Sequence, residues 1–291
     1  SILLMSHIFD GQTLLKGVKR LNAGCLLRFE PGKNAYEENQ YKIQLSTRYY
    51  DLPFSAHCEV LGEALEDTIG RHTAAKLNYS LLLSGGLDSR MLAGFLIEKN
   101  RQCRAITMGI DSDVEMQTAK NVARYLGLPQ CKMEVKYEQY INCAKNEAKW
   151  EHISNGFNDI FDWGYCTSLS DGDDALIMGH SIDAVIGTRY MTWAYSPVHR
   201  TMSFDTFFKN ANRWAIRADI LKKLLNKDKN LVDETIKNIE DKYNSFSKIE
   251  SQKVWCFNLY NRQRFHVGGC AFAISFGVWP VMPAIDKTLL E

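Results

Sequence analysis

The chain has 291 residues, of which 45% are apolar and 24% charged, and its formal net charge is +1. This composition excludes a disordered tail protein, a collagen and a coiled-coil rod, and it predicts a compact fold of roughly two domains or one large α/β domain. Because 35 basic residues balance 34 acidic ones, bulk charge gives no reason to expect nucleic acid or an anionic membrane as a partner. Any anion site must be local.

The eight cysteines never form a C-x-x-C pair, which indicates neither a zinc site nor a disulfide scaffold. We interpret them as reduced thiols and predict a cytoplasmic location. The stretch 267–285 has no charged residue, but Pro280, Pro283 and several glycines favour a buried helix followed by a loop over a membrane span.

The first 54 residues indicate a hairpin and a linker. Residues 12–31 alternate short apolar runs around an Asn-Ala-Gly turn, which predicts a β-hairpin, and a Pro-Gly turn at 31 and 32 follows it. Residues 33–54 are polar and aromatic, so we interpret them as a connecting segment with a domain boundary near residue 50. Because Ser1 opens directly into an apolar run without an initiator Met, we expect the chain to be a piece of a longer protein.

From residue 55 onward, helical and strand patterns alternate. The predicted strands are 81–83, 103–108, 132–135 and 175–178. The predicted helices are 55–75, the segment around 91–96, 113–126, 137–151 and 158–169. This alternation predicts an α/β fold, a parallel sheet with helices on both faces. Beyond residue 205 we predict a helical C-terminal region without strands, which leads into the apolar segment 253–285.

A glycine-rich loop joins the strand 81–83 to the next helix, with the sequence Ser-Gly-Gly-Leu-Asp-Ser over residues 84–89. Its glycines let backbone N–H groups face a phosphate, and the helix N-terminus adds unpaired donors and partial positive charge. No Lys follows, so the loop is not a Walker A motif. A carboxylate such as Asp88 beside a polyphosphate needs a cation between them, which predicts binding of a magnesium–nucleotide complex. The alternative is an ordinary Gly-Gly turn whose Ser and Asp cap the helix.

The whole string resembles the pyrophosphate loop of the N-type ATP pyrophosphatases. More specifically, it is similar to the synthetase domain of asparagine synthetases and of their β-lactam synthetase relatives. Three later blocks resemble that family in order, at 106–109 (Ile-Thr-Met-Gly), at 177–187 (from Ile-Met-Gly-His to Gly) and at 278–286 (from Val-Trp-Pro to Asp). With the N-terminal hairpin, the resemblance covers nearly the whole chain.

The resemblance implies an adenine nucleotide alpha hydrolase-like fold and two cofactors, ATP and Mg²⁺. It implies that Asp88 and Asp183 hold the metal and take part in catalysis. His180 is a third catalytic candidate on its own chemistry, because a histidine can act as a base near neutral pH. The implied nucleotide contacts are Leu83, Ser84, Gly85, Gly86, Asp88, Ser89, Met108 and Gly179. Residues 1–50 would be a hairpin and linker left by a removed glutaminase domain, and 51–291 a synthetase domain truncated at its C-terminus.

Some positions depart from the family pattern close to the expected chemistry. His180 and Ala184 stand where the family has acidic residues, and Trp279 and Val281 replace an acidic residue and an Arg, which leaves aspartate specificity open. His180 is either a base near neutral pH or a histidine at a strand end. Arg262 and Arg264 are weak candidates for contacting phosphate or carboxylate.

The resemblance implies an ATP-dependent amide-forming ligase of the glutamine-hydrolysing asparagine synthase type. It would activate a carboxylate, aspartate or an analogue, as an acyl-adenylate, release pyrophosphate and transfer nitrogen from ammonia or an amine. A glutaminase domain in cis or in trans is the implied protein partner, and a homodimer is left open. Two alternatives remain, a degenerate nucleotide-binding module without catalysis and an N-type ATP pyrophosphatase acting on a nucleoside or a sulfur carrier.

Overall fold

The computed structural model describes residues 1–75, 77–134, 136–151, 163–164, 169, 172–186, 203–213 and 215–291. The strands in chain order are β1 (Cys25–Arg28), β2 (Tyr36–Asn39), β3 (Tyr79–Leu82), β4 (Cys103–Met108), β5 (Gln130–Met133), β6 (Ala175–Ile177) and β7 (Trp279–Val281). The α-helices are α1 (Ile2–Met5), α2 (Phe54–His72), α3 (Leu87–Glu98), α4 (Val114–Leu126), α5 (Tyr140–Asn146), α6 (Ile182–Ile186), α7 (Phe204–Asn212), α8 (Ala218–Leu225), α9 (Lys229–Ser245), α10 (Glu250–Asn258), α11 (Gly268–Ile274) and α12 (Lys287–Leu290).

The chain forms two compact units that are interleaved along the sequence. The first consists of residues 1–44, 151–158 and 187–267, and the second of residues 45–150, 159–186 and 268–291. We call them the helical unit and the sheet unit. The domain boundary near residue 50 stays a prediction.

The sheet unit contains a five-stranded sheet in the order β5-β4-β3-β6-β7, with every neighbouring pair parallel. Apolar side chains of the central strands divide between its two faces. Leu81 and Ile177 pack in a cluster with residues of α2, α3 and α4, whereas Ile106 and Leu176 pack in another with residues of α11. The prediction of a parallel sheet with helices on both faces is therefore confirmed.

Two predictions about the strands of this sheet are wrong. The segment beyond residue 205 does contain a strand, because β7 pairs in parallel with β6. Pro280 lies within β7 and removes a ladder donor, which is tolerated because β7 is an edge strand. The strand predicted at 132–135 is β5 at Gln130–Met133, so it begins two residues earlier.

The predicted helix 137–151 is a 3₁₀ turn (Tyr137–Gln139), α5 and a π-helical segment (Glu147–Glu151) in succession. Most of the predicted helix 158–169 lies outside the described residues. The apolar stretch 267–285 forms α11, a turn and β7. Within the described part of the chain, no helix has the length and apolar character that a membrane crossing requires.

The helical unit holds a hairpin and a helical core. The hairpin predicted at 12–31 is displaced, because β1 and β2 are Cys25–Arg28 and Tyr36–Asn39 and the Pro-Gly turn lies between them. Gly32 takes a φ of +81°, which suits a hairpin connection, whereas the Asn-Ala-Gly turn precedes β1. Part of the predicted connecting segment 33–54 is therefore strand. The helical core includes Phe207, Tyr243 and Phe257.

Candidate functional site

The predicted site residues follow three neighbouring strands at the edge where those strands end. Residues 83–89 follow β3, Met108 ends β4, and residues 179–183 follow β6. Strand β3 lies between β4 and β6, so their carboxyl ends are adjacent. Ligands of open parallel sheets bind at this edge. The topology therefore gathers every predicted site residue of the sheet unit into one region.

Gly85 is fixed by its backbone conformation and by its neighbours. Its φ is +76°, and a Cβ atom placed on it would lie 2.7 Å from Thr118 Cγ2 and 2.8 Å from the Ala119 nitrogen. The loop thus lies directly against α4, and only glycine fits both the left-handed conformation and the space. At the base of the loop, the Leu83 N–H donates to the Ile106 carbonyl at 2.8 Å, and the Thr107 hydroxyl donates to the Leu83 carbonyl at 2.9 Å.

The two loop serines bind the loop itself. Ser84 Oγ accepts the Gly86 N–H at 3.2 Å and lies 3.2 Å from Ser89 Oγ, which donates to the Gly86 carbonyl. Gly86 is the N-cap residue of α3, and no side chain caps this helix. The side-chain cap by Ser or Asp that the alternative of an ordinary turn predicts is therefore not found among the described residues. Among the described residues, the first-turn N–H groups of residues 87–89 have no acceptor.

The charge of Asp183 acts on the carboxyl group of Asp88. Partial burial raises the pKa of Asp88, and the negative charge of Asp183 raises it further. Gly179 lies directly against Asp88, because a Cβ atom on Gly179 would lie 3.3 Å from Asp88 Cβ. Two half-buried carboxylates that repel each other suit a bound cation, which would remove the repulsion.

His180 lies between Gly179 and Asp183 in sequence and is half-buried. Burial lowers its pKa, and the negative charge of Asp183 opposes that shift without cancelling it. The imidazole is consequently neutral at pH 7, which leaves one ring nitrogen free of a proton. It is therefore in the form that a proton acceptor requires.

After β4, the chain turns tightly around Asp113. Gly109 has a φ of +128°, and Asp113 Oδ2 accepts the Ile110 N–H at 2.9 Å. A Cβ atom on Gly109 would lie 2.5 Å from that oxygen. This turn holds Met108 at the strand end, half-buried beside the loop strand.

The remaining predicted candidates belong to the other unit. Arg262 and Arg264 belong to a π-helical segment (Leu259–Val267) of the helical unit. Arg264 donates to the Leu21 carbonyl, and its guanidinium lies 4.8 Å from the centre of the Phe265 ring. The geometry of Arg264 is that of a residue that supports the N-terminal segment.

The positions that depart from the family pattern have different environments. Ala184 and Val281 are buried, and Val281 belongs to the hydrophobic core of the sheet unit. Trp279 is 72% exposed at the start of β7. No charged group is contributed at any of these three positions.

The donor set at the sheet edge fits Mg²⁺ only as a partial site. Within the described residues, no group of three or more His, Cys, Asp or Glu side chains is placed to hold a metal ion. Mg²⁺ commonly takes one or two carboxylates and completes its coordination with phosphate oxygens and water. Asp88 and Asp183 satisfy that requirement when a nucleotide supplies the phosphates.

A search of family sequence profiles decides the affiliation of the chain. The Asparagine synthase profile matches residues 60–241, which is more than half of the chain and includes the loop, β4 and the segment 179–183. The chain belongs to the asparagine synthase family. The predicted family resemblance is confirmed.

Individual relatives of this asparagine synthase family member are distant. Proteins named as glutamine-hydrolysing asparagine synthetases in Mycobacterium bovis and Mycobacterium tuberculosis are 25% identical to it over 154 residues, or 50% of this chain. The match spans only 23% of the length of those relatives.

Two solved structures show weak overall similarity to the chain. The NH₃-dependent NAD synthetase from Campylobacter jejuni gives a TM-score of 0.32 at 13% identity, covering 45% of this chain and 60% of that one. The NMN synthetase from Francisella tularensis gives 0.33 at 15% identity, covering 47% and 59%.

The sequence did not single out Arg90. It lies one residue beyond the motif, on the first turn of α3, and its guanidinium donates to the Gly86 carbonyl. The sequence did offer one signal, the spacing of four positions between Arg90 and Gly86, because a side chain four positions after an N-cap residue lies over the start of the helix.

Proposed function

We propose that this asparagine synthase family member is an ATP-dependent amide-forming ligase that activates a carboxylate as an acyl-adenylate. The observation that carries the proposal is the effect of the Asp183 charge on Asp88, beside first-turn N–H groups of α3 that have no acceptor among the described residues. This combination suits a polyphosphate whose charge is shared between a cation and backbone donors. Membership of the family supports the same chemistry.

In the first step, a substrate carboxylate oxygen attacks the α-phosphorus of ATP, and pyrophosphate leaves with the electrons of the broken P–O bond. The N–H groups of residues 87–89 would hold the pyrophosphate oxygens and stabilise the charge that develops on them. Asp88 and Asp183 would hold Mg²⁺, which when bound neutralises phosphate charge. The strand end at Met108 would lie against the adenine.

In the second step, a nitrogen nucleophile attacks the acyl carbon, and AMP leaves with the phosphate-linked oxygen. The attacking nitrogen must lose a proton as the amide forms. Neutral His180, beside Asp183, is positioned in sequence and in protonation state to accept that proton. Nitrogen would arrive as ammonia from a glutaminase domain in cis or in trans, or as an amine of the substrate.

Exchange of radiolabelled pyrophosphate into ATP tests the activation step. The protein encoded by the complete gene is incubated with Mg²⁺ and a panel of carboxylates that begins with aspartate, and AMP release is then followed with ammonia. Asp88→Asn and Asp183→Asn should each lower exchange at least about 100-fold. Asp219→Asn is the matched control, since this exposed carboxylate of α8 pairs with Arg217 in the helical unit.

Exchange without any dependence on Asp88 or Asp183 would refute the assignment of the two acids. A non-catalytic nucleotide-binding module is the second candidate, favoured by the absence of a charged group at Ala184 and Val281. It predicts ATP binding without exchange for every carboxylate tested.

A further inference from the structure

The loop proposed to bind the polyphosphate lies in a region of negative charge. Asp88 and Asp183 already repel each other there, since the charge of Asp183 raises the pKa of Asp88. A nucleoside triphosphate adds up to about four negative charges, and one divalent cation offsets only two of them. A side-chain cation near the loop would therefore improve the balance of charge.

Most basic side chains of the surrounding elements are already paired with carboxylates. Lys120 of α4 and Lys132 of β5 both bind Asp111, at 2.7 and 2.8 Å. Their hydrogen bonds, and then their charges, hold the pKa of Asp111 down at about 2. Neither ammonium is available to a ligand without the loss of that pairing.

Arg90 has a different environment. Its guanidinium Nε donates to the Gly86 carbonyl at 3.4 Å, and in the described part of the chain this side chain has no carboxylate partner. The residue is exposed. A guanidinium has five N–H donors, and among the described residues only the Nε–H of Arg90 is hydrogen-bonded. The weak contact with Gly86 keeps the guanidinium at the N-terminus of α3, beside the loop.

We infer that Arg90 is a phosphate-binding residue that contacts the β- and γ-phosphates of a nucleoside triphosphate held by the loop. This inference rests on the proposed function, and it adds a side-chain cation that the motif itself does not contain. A planar guanidinium pairs with two phosphate oxygens at once and stays charged at every relevant pH. The ligand class is therefore one with a terminal diphosphate, ATP or inorganic pyrophosphate, rather than a nucleoside monophosphate.

Titration calorimetry with a series of ligands tests this inference. Wild type, Arg90→Ala and Arg90→Lys are titrated with ATP, inorganic pyrophosphate and AMP, each in the presence of Mg²⁺. A hydrogen bond to a charged group is worth roughly 1.5–3 kcal/mol, so Arg90→Ala should bind ATP and pyrophosphate at least about tenfold more weakly. Binding of AMP should change less than about twofold, and Arg90→Lys should be intermediate for the two longer ligands.

Arg124→Ala is the matched control. Arg124 is also an exposed arginine with one neutral hydrogen bond of 3.4 Å, to Asn121 Oδ1, but it lies in the last turn of α4. Its replacement should leave the affinities for all three ligands unchanged. Thermal unfolding of each variant shows whether the fold is retained.

Three outcomes are distinguishable. Wild type that binds neither ATP nor pyrophosphate refutes the proposed function. Wild type that binds both, with Arg90→Ala equal to Arg124→Ala, overturns the role of Arg90 and leaves the proposed function intact. Equal weakening of ATP and AMP also overturns it, since that pattern shows a damaged loop rather than a lost phosphate contact.

Discussion

Replacing Gly85 by alanine tests whether the loop conformation is as constrained as its geometry indicates. The new Cβ atom would lie 2.7 Å from Thr118 Cγ2 and 2.8 Å from the Ala119 nitrogen, at a φ of +76°. Left-handed backbone costs a non-glycine residue roughly 1–2 kcal/mol, and overpacking of this kind costs roughly 1–3 kcal/mol. We therefore expect Gly85→Ala to lower the free energy of unfolding by about 2–5 kcal/mol.

Gly86→Ala provides the comparison, one residue further along. Gly86 has a φ of −68°, it is exposed, and the nearest atom to its Cβ position is the Ser84 hydroxyl at 3.3 Å. Alanine is a poorer N-cap residue than glycine, which costs at most about 1 kcal/mol. Urea unfolding of the two variants, followed by circular dichroism, measures the difference between them.

Thr118→Ala in the Gly85→Ala background separates the two causes. It removes the close methyl group but neither the Ala119 backbone contact nor the left-handed strain, so recovery should be partial. Equal stabilities of Gly85→Ala and Gly86→Ala would refute the reasoning. Full recovery by Thr118→Ala would show that the backbone strain is negligible.

Three further predictions concern titratable groups. The raised pKa of Asp88 means that the folded chain binds its proton more tightly than the unfolded chain, so this carboxylate lowers stability as pH rises above its ordinary value of 3.8. Asp88→Asn should therefore raise the thermal midpoint at pH 7 and leave it unchanged at pH 3. The gain in the free energy of unfolding should be less than about 1 kcal/mol, because the group is partly exposed. A gain at both pH values would contradict this prediction. His180→Gln should lower the rate of amide formation about 100-fold or more. It should also abolish the fall in rate at acidic pH, which in wild type lies below pH 6.5. If this fall persists in the variant, another group causes it. Burial raises the pKa of Asp286, but the Thr288 N–H, His72 and Arg71 outweigh it and lower the net value, so this carboxylate stabilises the fold above pH 3.8 and the benefit is lost as pH falls below that value. Asp286→Ala should lower the free energy of unfolding by about 1–2 kcal/mol at pH 7, measured by urea unfolding, since it removes a helix cap and partly exposed ion pairs. An equal loss at pH 2 would show that the charge of Asp286 does not contribute.

The periodicity of apolar residues and the composition of each segment were sufficient to predict the central strands. The buried runs at 103–108 and 175–178 correspond to β4 and β6, and the apolar spacing of 113–126 with Gly127 behind it corresponds to α4. Gly127 takes a left-handed φ of +67° at the end of that helix. Strong periodicity with a clear stop signal was therefore readable without coordinates.

Strand β7 could not be predicted in the same way. It has three residues, one of them a proline, and it lies within a longer apolar segment that also contains α11. Its strand conformation comes from pairing with β6, about 100 residues earlier in the chain, and local sequence carries no record of such a partner. The two π-helical segments, Glu147–Glu151 and Leu259–Val267, could not be predicted from the sequence either, because their hydrogen-bond pattern depends on tertiary packing.

The sequence predicted that Asp88 and Asp183 lie just past the carboxyl ends of parallel strands, but it did not show that those two strands are neighbours. The glycines and Asp88 were identifiable from chemistry, and Asp183 from family resemblance. Their proximity depends on β6 lying beside β3, which is a matter of strand order rather than of either local sequence. For the same reason, the sequence could not predict that Arg90 is exposed and has no carboxylate partner among the residues that the structure describes.

The hydroxyl of Ser84 has a consequence for how quickly the loop can receive an anion. This single rotatable group accepts the Gly86 N–H, so that donor already has a partner within the loop. An arriving phosphate oxygen need only exchange with a hydroxyl that turns aside within nanoseconds, and no backbone has to refold. We therefore expect anion binding here to need the rotation of one hydroxyl group and no change of the Ser84–Gly86 backbone.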